Sequence, residues 1–150
     1  MLKYIQWIVI LAFAGMLLIA CQDNKSTYKK IEPAHIEHVE GTDLNRVIMS
    51  EKAMERLGIE TGEVREEKVT YQGKTATRLV VDYSALIYSP KGETWVYVSP
   101  EPRVFIREVV KVDFITDQNQ AVLLEGPAVG TTVATVGVAE IYGTDFEVGH

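Results

Sequence analysis

One cysteine, three histidines and five prolines are all that 150 residues carry of the side chains that most often staple, ligate or stiffen a chain. A single thiol closes no disulfide within the chain, so Cys21 needs another explanation. The histidines stand at positions 35, 38 and 150, which leaves the middle of the chain without the side chain that most often moves protons near neutral pH. There is no G-x-S-x-G elbow, no H-E-x-x-H pair, no Walker loop and no dinucleotide fingerprint. Gly126 and Gly130 make no phosphate cradle, because neither the P-loop lysine nor a long helix follows them. These absences argue against an enzyme and imply no cofactor. Positive charge is also short, with 15 Lys and Arg against 21 Asp and Glu and a formal net charge of −6. An acidic surface repels phosphate backbones and anionic headgroups, so no nucleic-acid partner is expected. No heptad run marks a coiled coil.

What the sequence does have is a strongly organised beginning. A short positive start, Met1-Leu2-Lys3, leads into the apolar run Tyr4 to Ala20, in which Gln6 is the strongly polar residue. That order is the one a secretory signal takes. A transmembrane anchor is the rival reading, since 17 residues reach the short end of the roughly 17–25 that a spanning helix needs, and a buried helix is a third. Gly15 and Ala20 near the close suit cleavage better. The run ends Leu18-Ile19-Ala20-Cys21, which resembles the lipobox of bacterial lipoproteins. The resemblance implies that residues 1–20 are a lipoprotein signal peptide and that Cys21 is the lipidated first residue of the mature chain. It also implies a cell-membrane location, lipid-anchored on the extracytoplasmic side, periplasmic or cell-surface. Removing Lys3 with the signal leaves 14 cations against the same 21 carboxylates, so the lipid rather than a basic surface would hold the chain to a membrane.

Residues 21–43 read as a flexible polar tether, because no apolar period persists there and its composition buries too little to offset the entropy of ordering. Within it, His35-Ile36-Glu37-His38 lies among Glu32 and Glu40. Imidazole and carboxylate suit zinc, copper or nickel, which makes His35 and His38 weak candidates for a metal site. They would share a face only on a helix, and Pro33 with its polar surroundings gives little support for one.

Residues 44–150 read as one mainly β domain: a compact antiparallel barrel or sandwich-like fold with one or two short helices. Asn45 to Met49 predicts a strand. Ser50 is a good N-cap for a helix whose apolar face is Ala53, Met54 and Leu57 and whose C-cap is Gly58. Ile59–Arg65 and Val69–Gln72 predict strands separated by a charged break, Glu66-Glu67-Lys68, with a turn at Gln72-Gly73-Lys74. Leu79–Val81, Ala85–Tyr88, Ala121–Leu124 and Val133–Gly137 predict further strands, and Val138–Tyr142 about one helical turn before a polar tail from Thr144. The clearest hairpin pairs Thr94–Ser99 with Val104–Val112. Alternation puts Trp95 and Tyr97 on one face and Val96 and Val98 on the other, with Phe105 and Arg107 joining the aromatic side. The valine face is expected to be core. The face of Trp95, Tyr97, Phe105 and Arg107 is expected to be half-exposed and is the candidate interface, since aromatic and Arg side chains are enriched at protein contacts.

Val47 to Ile59, Val81 to Leu86, Gly92 to Val98, Leu124 to Gly130 and Val133 to Gly137 together resemble the membrane fusion proteins, the periplasmic adaptor subunits of resistance-nodulation-division efflux pumps. The span from Val64 to Val80 is too short for the lipoyl-like barrel-sandwich and α-helical hairpin of a full adaptor, so the resemblance is to the membrane-proximal, β-barrel part. It implies a non-catalytic interaction module that contacts an efflux transporter or adaptor protein. A solute- or metal-binding lipoprotein is the alternative.

Overall fold

A computed structural model describes residues 32–146. The segment expected to be a signal peptide, Cys21, the first part of the expected tether and His150 lie outside the described residues. The described chain is mainly β, with a curled antiparallel sheet of half-barrel form and two short helices, as the sequence predicts. In order it runs β1 (Ala34–His38), β2 (Asn45–Met49), α1 (Glu51–Leu57), β3 (Glu60–Glu63), β4 (Arg65–Tyr71) and β5 (Lys74–Asp82). A 3-10 turn (Tyr83–Ala85) then leads to β6 (Ile87–Tyr88), β7 (Thr94–Glu101), β8 (Val104–Ile115), β9 (Gln120–Glu125), β10 (Thr132–Val136) and α2 (Val138–Asp145).

The main path of the sheet is β3-β10-β7-β8-β9-β5-β4, with β2 carrying β1 onto β8 and β6 lying against β7. Its spine is β8, whose first half pairs with β7 and β2 and whose second half pairs with β9. The end strands β3 and β4 are consecutive in the chain. Val64 joins them, donating its N–H to Thr131 and accepting from Gly130, and is itself buried. One short link between opposite ends of a sheet path requires the sheet to curl.

Local chemistry explains the elements. The Ser50 hydroxyl accepts from the Ala53 N–H, and Gly58 takes a left-handed conformation to close α1, as its composition predicts. Gln72 and Gly73 both have positive φ, the two-residue turn that matches strand twist, so β4 and β5 form one continuous hairpin. The charged break expected at Glu66-Glu67-Lys68 is therefore absent. These residues pair with Leu79, Arg78 and Thr77; Glu66 and Lys68 are exposed, and the half-buried Glu67 carboxylate accepts from Arg65 and Gln120, which a half-exposed ribbon tolerates. In the β7–β8 hairpin, Ser99 and Pro100 together oppose Phe105, and this bulge accommodates a residue with no N–H to give.

Two apolar clusters fill the domain. Val47, Met49, Ala53, Ile59, Tyr97, Phe105, Ala134, Val138 and Ile141 form one beneath the two helices. Val64, Val81, Ala85, Leu86, Val96, Val110, Ala121, Leu123 and Val133 form the other on the valine side of β7. Strand β7 thus has core on both faces. This corrects the expectation that the aromatic face is half-exposed: Tyr97 and Phe105 have no exposed surface and Trp95 is 8 % exposed. The helices supply the cover, which strand alternation alone cannot foresee.

The tether expected over 21–43 also changes. Ala34 to His38 form a strand paired in register with Met49 to Asn45, and Ala34 packs against the first cluster. Its backbone is held by β2, so the polar side chains of His35 and Glu37 need not be buried for the segment to be ordered.

Candidate functional site

The most connected polar group in the described chain is Asp145, at the end of α2. Gly137 starts that helix at a φ of 76°, and a Cβ placed there would stand 2.6 Å from Ile59 Cγ1. Glycine therefore lets α2 descend directly onto the first cluster. Val138, Ile141 and Asp145 are its buried residues, spaced by three and four on one helical face. That face carries the Asp145 carboxylate into the interior, where the side chain has no exposed surface.

Three donors meet it there. The Tyr97 hydroxyl donates to Oδ2 at 2.8 Å, the Arg107 guanidinium donates to the same oxygen at 2.7 Å, and Asn45 Nδ2 donates to Oδ1 at 3.0 Å. Tyr97 and Arg107 are direct cross-strand partners on β7 and β8, and Asn45 begins β2. One carboxylate therefore ties three strands to the last helix. Arg107 also donates to the backbone carbonyl of Asp43. Its guanidinium lies 5.5 Å from the Trp95 ring centre and 4.9 Å from that of Phe146, in cation–π contact with both. Charge-assisted bonds occupy both Asp145 oxygens, so the group acts as a clamp between helix and sheet.

Burial, then the neighbouring Asp145 charge, pushes the Tyr97 phenol well above its ordinary value. A raised folded-state value means the neutral phenol is the form the fold favours. Its contribution to stability is complete below the unfolded value of about 10 and is lost as pH rises through that value toward the folded one. Stability measured by urea unfolding is expected to fall above about pH 10. The Tyr97→Phe variant should show a shallower alkaline slope, and an unchanged slope would remove Tyr97 as its cause.

Beside the clamp lies a groove of about 480 Å3, with Trp95, Arg107, Tyr142 and Phe146 in its wall and Lys91 and Glu93 at its rim. Trp95 and Phe146 stack with centroids 5.9 Å apart, and Phe146 and Tyr142 lie 4.7 Å apart. Of the four residues expected to share an interface, Trp95 and Arg107 line this groove, while Tyr97 and Phe105 are interior.

His35 and His38 are three apart on a strand, so their side chains project to opposite faces. His35 lies 3.9 Å from Glu37, and His38 Nδ1 lies 3.4 Å from Asn45 Oδ1. The helical arrangement that would bring the two imidazoles to one ion is not formed. Among the described residues no group of three or more His, Cys, Asp and Glu side chains could hold a metal.

Asp145, Asn45, Tyr142 and Phe146 belong to the clamp and groove but are not among the candidates named from the sequence. Gly143 was the obstacle, since ending the helix there assigns Asp145 to a polar tail. The spacing Val138, Ile141, Tyr142, Asp145 carries the missing signal, because it is one helical face ending in a carboxylate. No family model matches the chain, and no curated protein matches it.

Proposed function

We propose that the chain is a lipid-anchored, extracytoplasmic, non-catalytic interaction module, similar to the membrane-proximal part of efflux adaptors, that contacts a membrane transporter or an adaptor assembly. The observation that carries this reading is Leu18-Ile19-Ala20-Cys21, the chain's single cysteine at the close of an apolar run. The first described strand, β1, begins at Ala34, twelve residues of sequence (Gln22 to Pro33) after Cys21. Twelve residues span at most about 43 Å when fully extended. The strand β1 thus shortens the reach that a tether to residue 43 would have given, and the domain works against a partner close to the bilayer. Among the described residues no helix is long and apolar enough to cross a membrane; the apolar run Tyr4 to Ala20 lies outside them.

The test is lipid attachment. Wild-type chain expressed in a bacterium with lipoprotein processing should incorporate labelled palmitate and lose residues 1–20. Cys21→Ser should stay full-length and unlabelled by mass spectrometry. A labelled, processed Cys21→Ser protein, or an unlabelled wild type, would overturn the anchoring claim.

The solute-binding lipoprotein is kept as a second reading because of the groove beside Trp95. The metal-binding form of that reading loses its support with the separation of His35 from His38.

A further inference from the structure

The groove has a chemistry of its own. Its volume of about 480 Å3 falls within the roughly 300–1,000 Å3 typical of small-ligand pockets. Its wall is a preassembled aromatic surface in which Trp95, Tyr142 and Phe146 already pack on one another. Val109, directly across the strand pair from Trp95, is 62 % exposed at the same groove and offers apolar surface that an occupant would cover.

The charges decide what kind of occupant fits. Arg107 is neutralised by Asp145 at 2.7 Å, and its ring-facing surface is taken by Trp95 and Phe146. The other ionisable groups of known charge in the lining are Asp43, Lys91 and Glu93, none of which lies in an ion pair among the described residues. Two carboxylates against one ammonium leave the groove net negative. Lys91 and Glu93 are also held in place, since the buried Ser89 hydroxyl accepts from both of their backbone N–H groups at 3.2 and 3.1 Å. With Arg107 already over Trp95 and Phe146, the aromatic wall offers an occupant apolar surface, and it is the net negative rim that favours a cation and repels an organic anion.

We infer that this groove binds a small organic cation, an ammonium group carried on an aromatic or compact apolar body. The apolar body covers Val109 and the aromatic wall, and the ammonium lies toward Asp43 and Glu93. The site needs neither lipid nor a protein partner, so its failure would leave the anchoring proposal standing.

Three probes of nearly equal shape separate charge from hydrophobicity: 2-phenylethylamine, 2-phenylethanol and 3-phenylpropionate. The chain contains two tryptophans, Trp7 and Trp95, so the full-length Cys21→Ser chain labelled with 5-fluorotryptophan in detergent gives two fluorine resonances, assigned by Trp7→Phe. The amine should move the Trp95 resonance saturably, the alcohol more weakly, and the carboxylate should leave it in place. Asp43→Asn with Glu93→Gln, both at exposed positions, should weaken the amine by about threefold or more while circular dichroism stays unchanged. The proposal is overturned if the amine gives no saturable shift up to about 10 mM. It is equally overturned if 3-phenylpropionate binds as tightly, or if the double variant keeps full affinity for the amine.

Discussion

Asp145→Ala should lower the stability of the domain by about 3–5 kcal/mol, because it breaks a buried ion pair from one side. The Arg107 side chain is only 12 % exposed and would keep its charge with no carboxylate beside it. The Tyr97 hydroxyl and the Asn45 amide would lose their acceptor at the same moment. Each is a polar group left unsatisfied on removal of its partner, which costs more than the bond itself contributed. Urea unfolding of the full chain, followed by circular dichroism, reads the change. Asp145→Asn should fall between wild type and the alanine variant, since the amide oxygen can still accept while the charge is gone. Replacing both partners, Asp145→Leu with Arg107→Met, should cost less than Asp145→Ala alone, as an apolar pair leaves no stranded charge. A loss below about 0.5 kcal/mol for Asp145→Ala would show that solvent reaches Arg107 freely and that the clamp is incidental.

How much of this could be read from the sequence depends on which features are local. The helix from Ser50 to Gly58 was legible because both of its caps are set within eight residues, as was the Gln72-Gly73 turn, where two residues determine the backbone. The hairpin of β7 and β8 was legible through its alternation. What alternation could not reveal is which face meets water. Trp95 and Tyr97 looked like a surface because an Arg stands among them, yet that Arg is itself drawn inward by a carboxylate 38 residues later. Long-range pairing of this kind leaves no trace in a local window. Strand β1 was missed for the same reason, since its order comes from β2 and not from its own composition. The candidate site was half legible: Trp95 and Arg107 were named from sequence, and α2, which supplies Tyr142, Asp145 and Phe146 or leads into it, was read as ending too soon.

Phe105→Ala separates the two possible roles of the aromatic face. On the surface, the substitution would change stability by no more than about 0.5 kcal/mol and would act only on binding. Inside, removing a phenyl ring from a packed site should cost about 3–5 kcal/mol, combining lost transfer free energy with the cavity left behind. The structure decides for the interior: Phe105 has no exposed surface, pairs with Val47 across β8 and β2, and lies in the cluster that both helices cover. Collapse around the cavity is limited there, because Val47, Met49 and Tyr97 belong to strands whose spacing is set by backbone hydrogen bonds. Phe105→Leu should recover most of the loss, since the smaller cavity retains apolar contacts on several sides. The groove supplies an internal control. Val109→Ala, on the same strand but 62 % exposed, should leave stability nearly unchanged while reducing the apolar surface offered to a ligand. If Phe105→Ala were as mild as Val109→Ala, the helices would not be covering this face, and Tyr97 and Phe105 would return to the set of residues open to a partner.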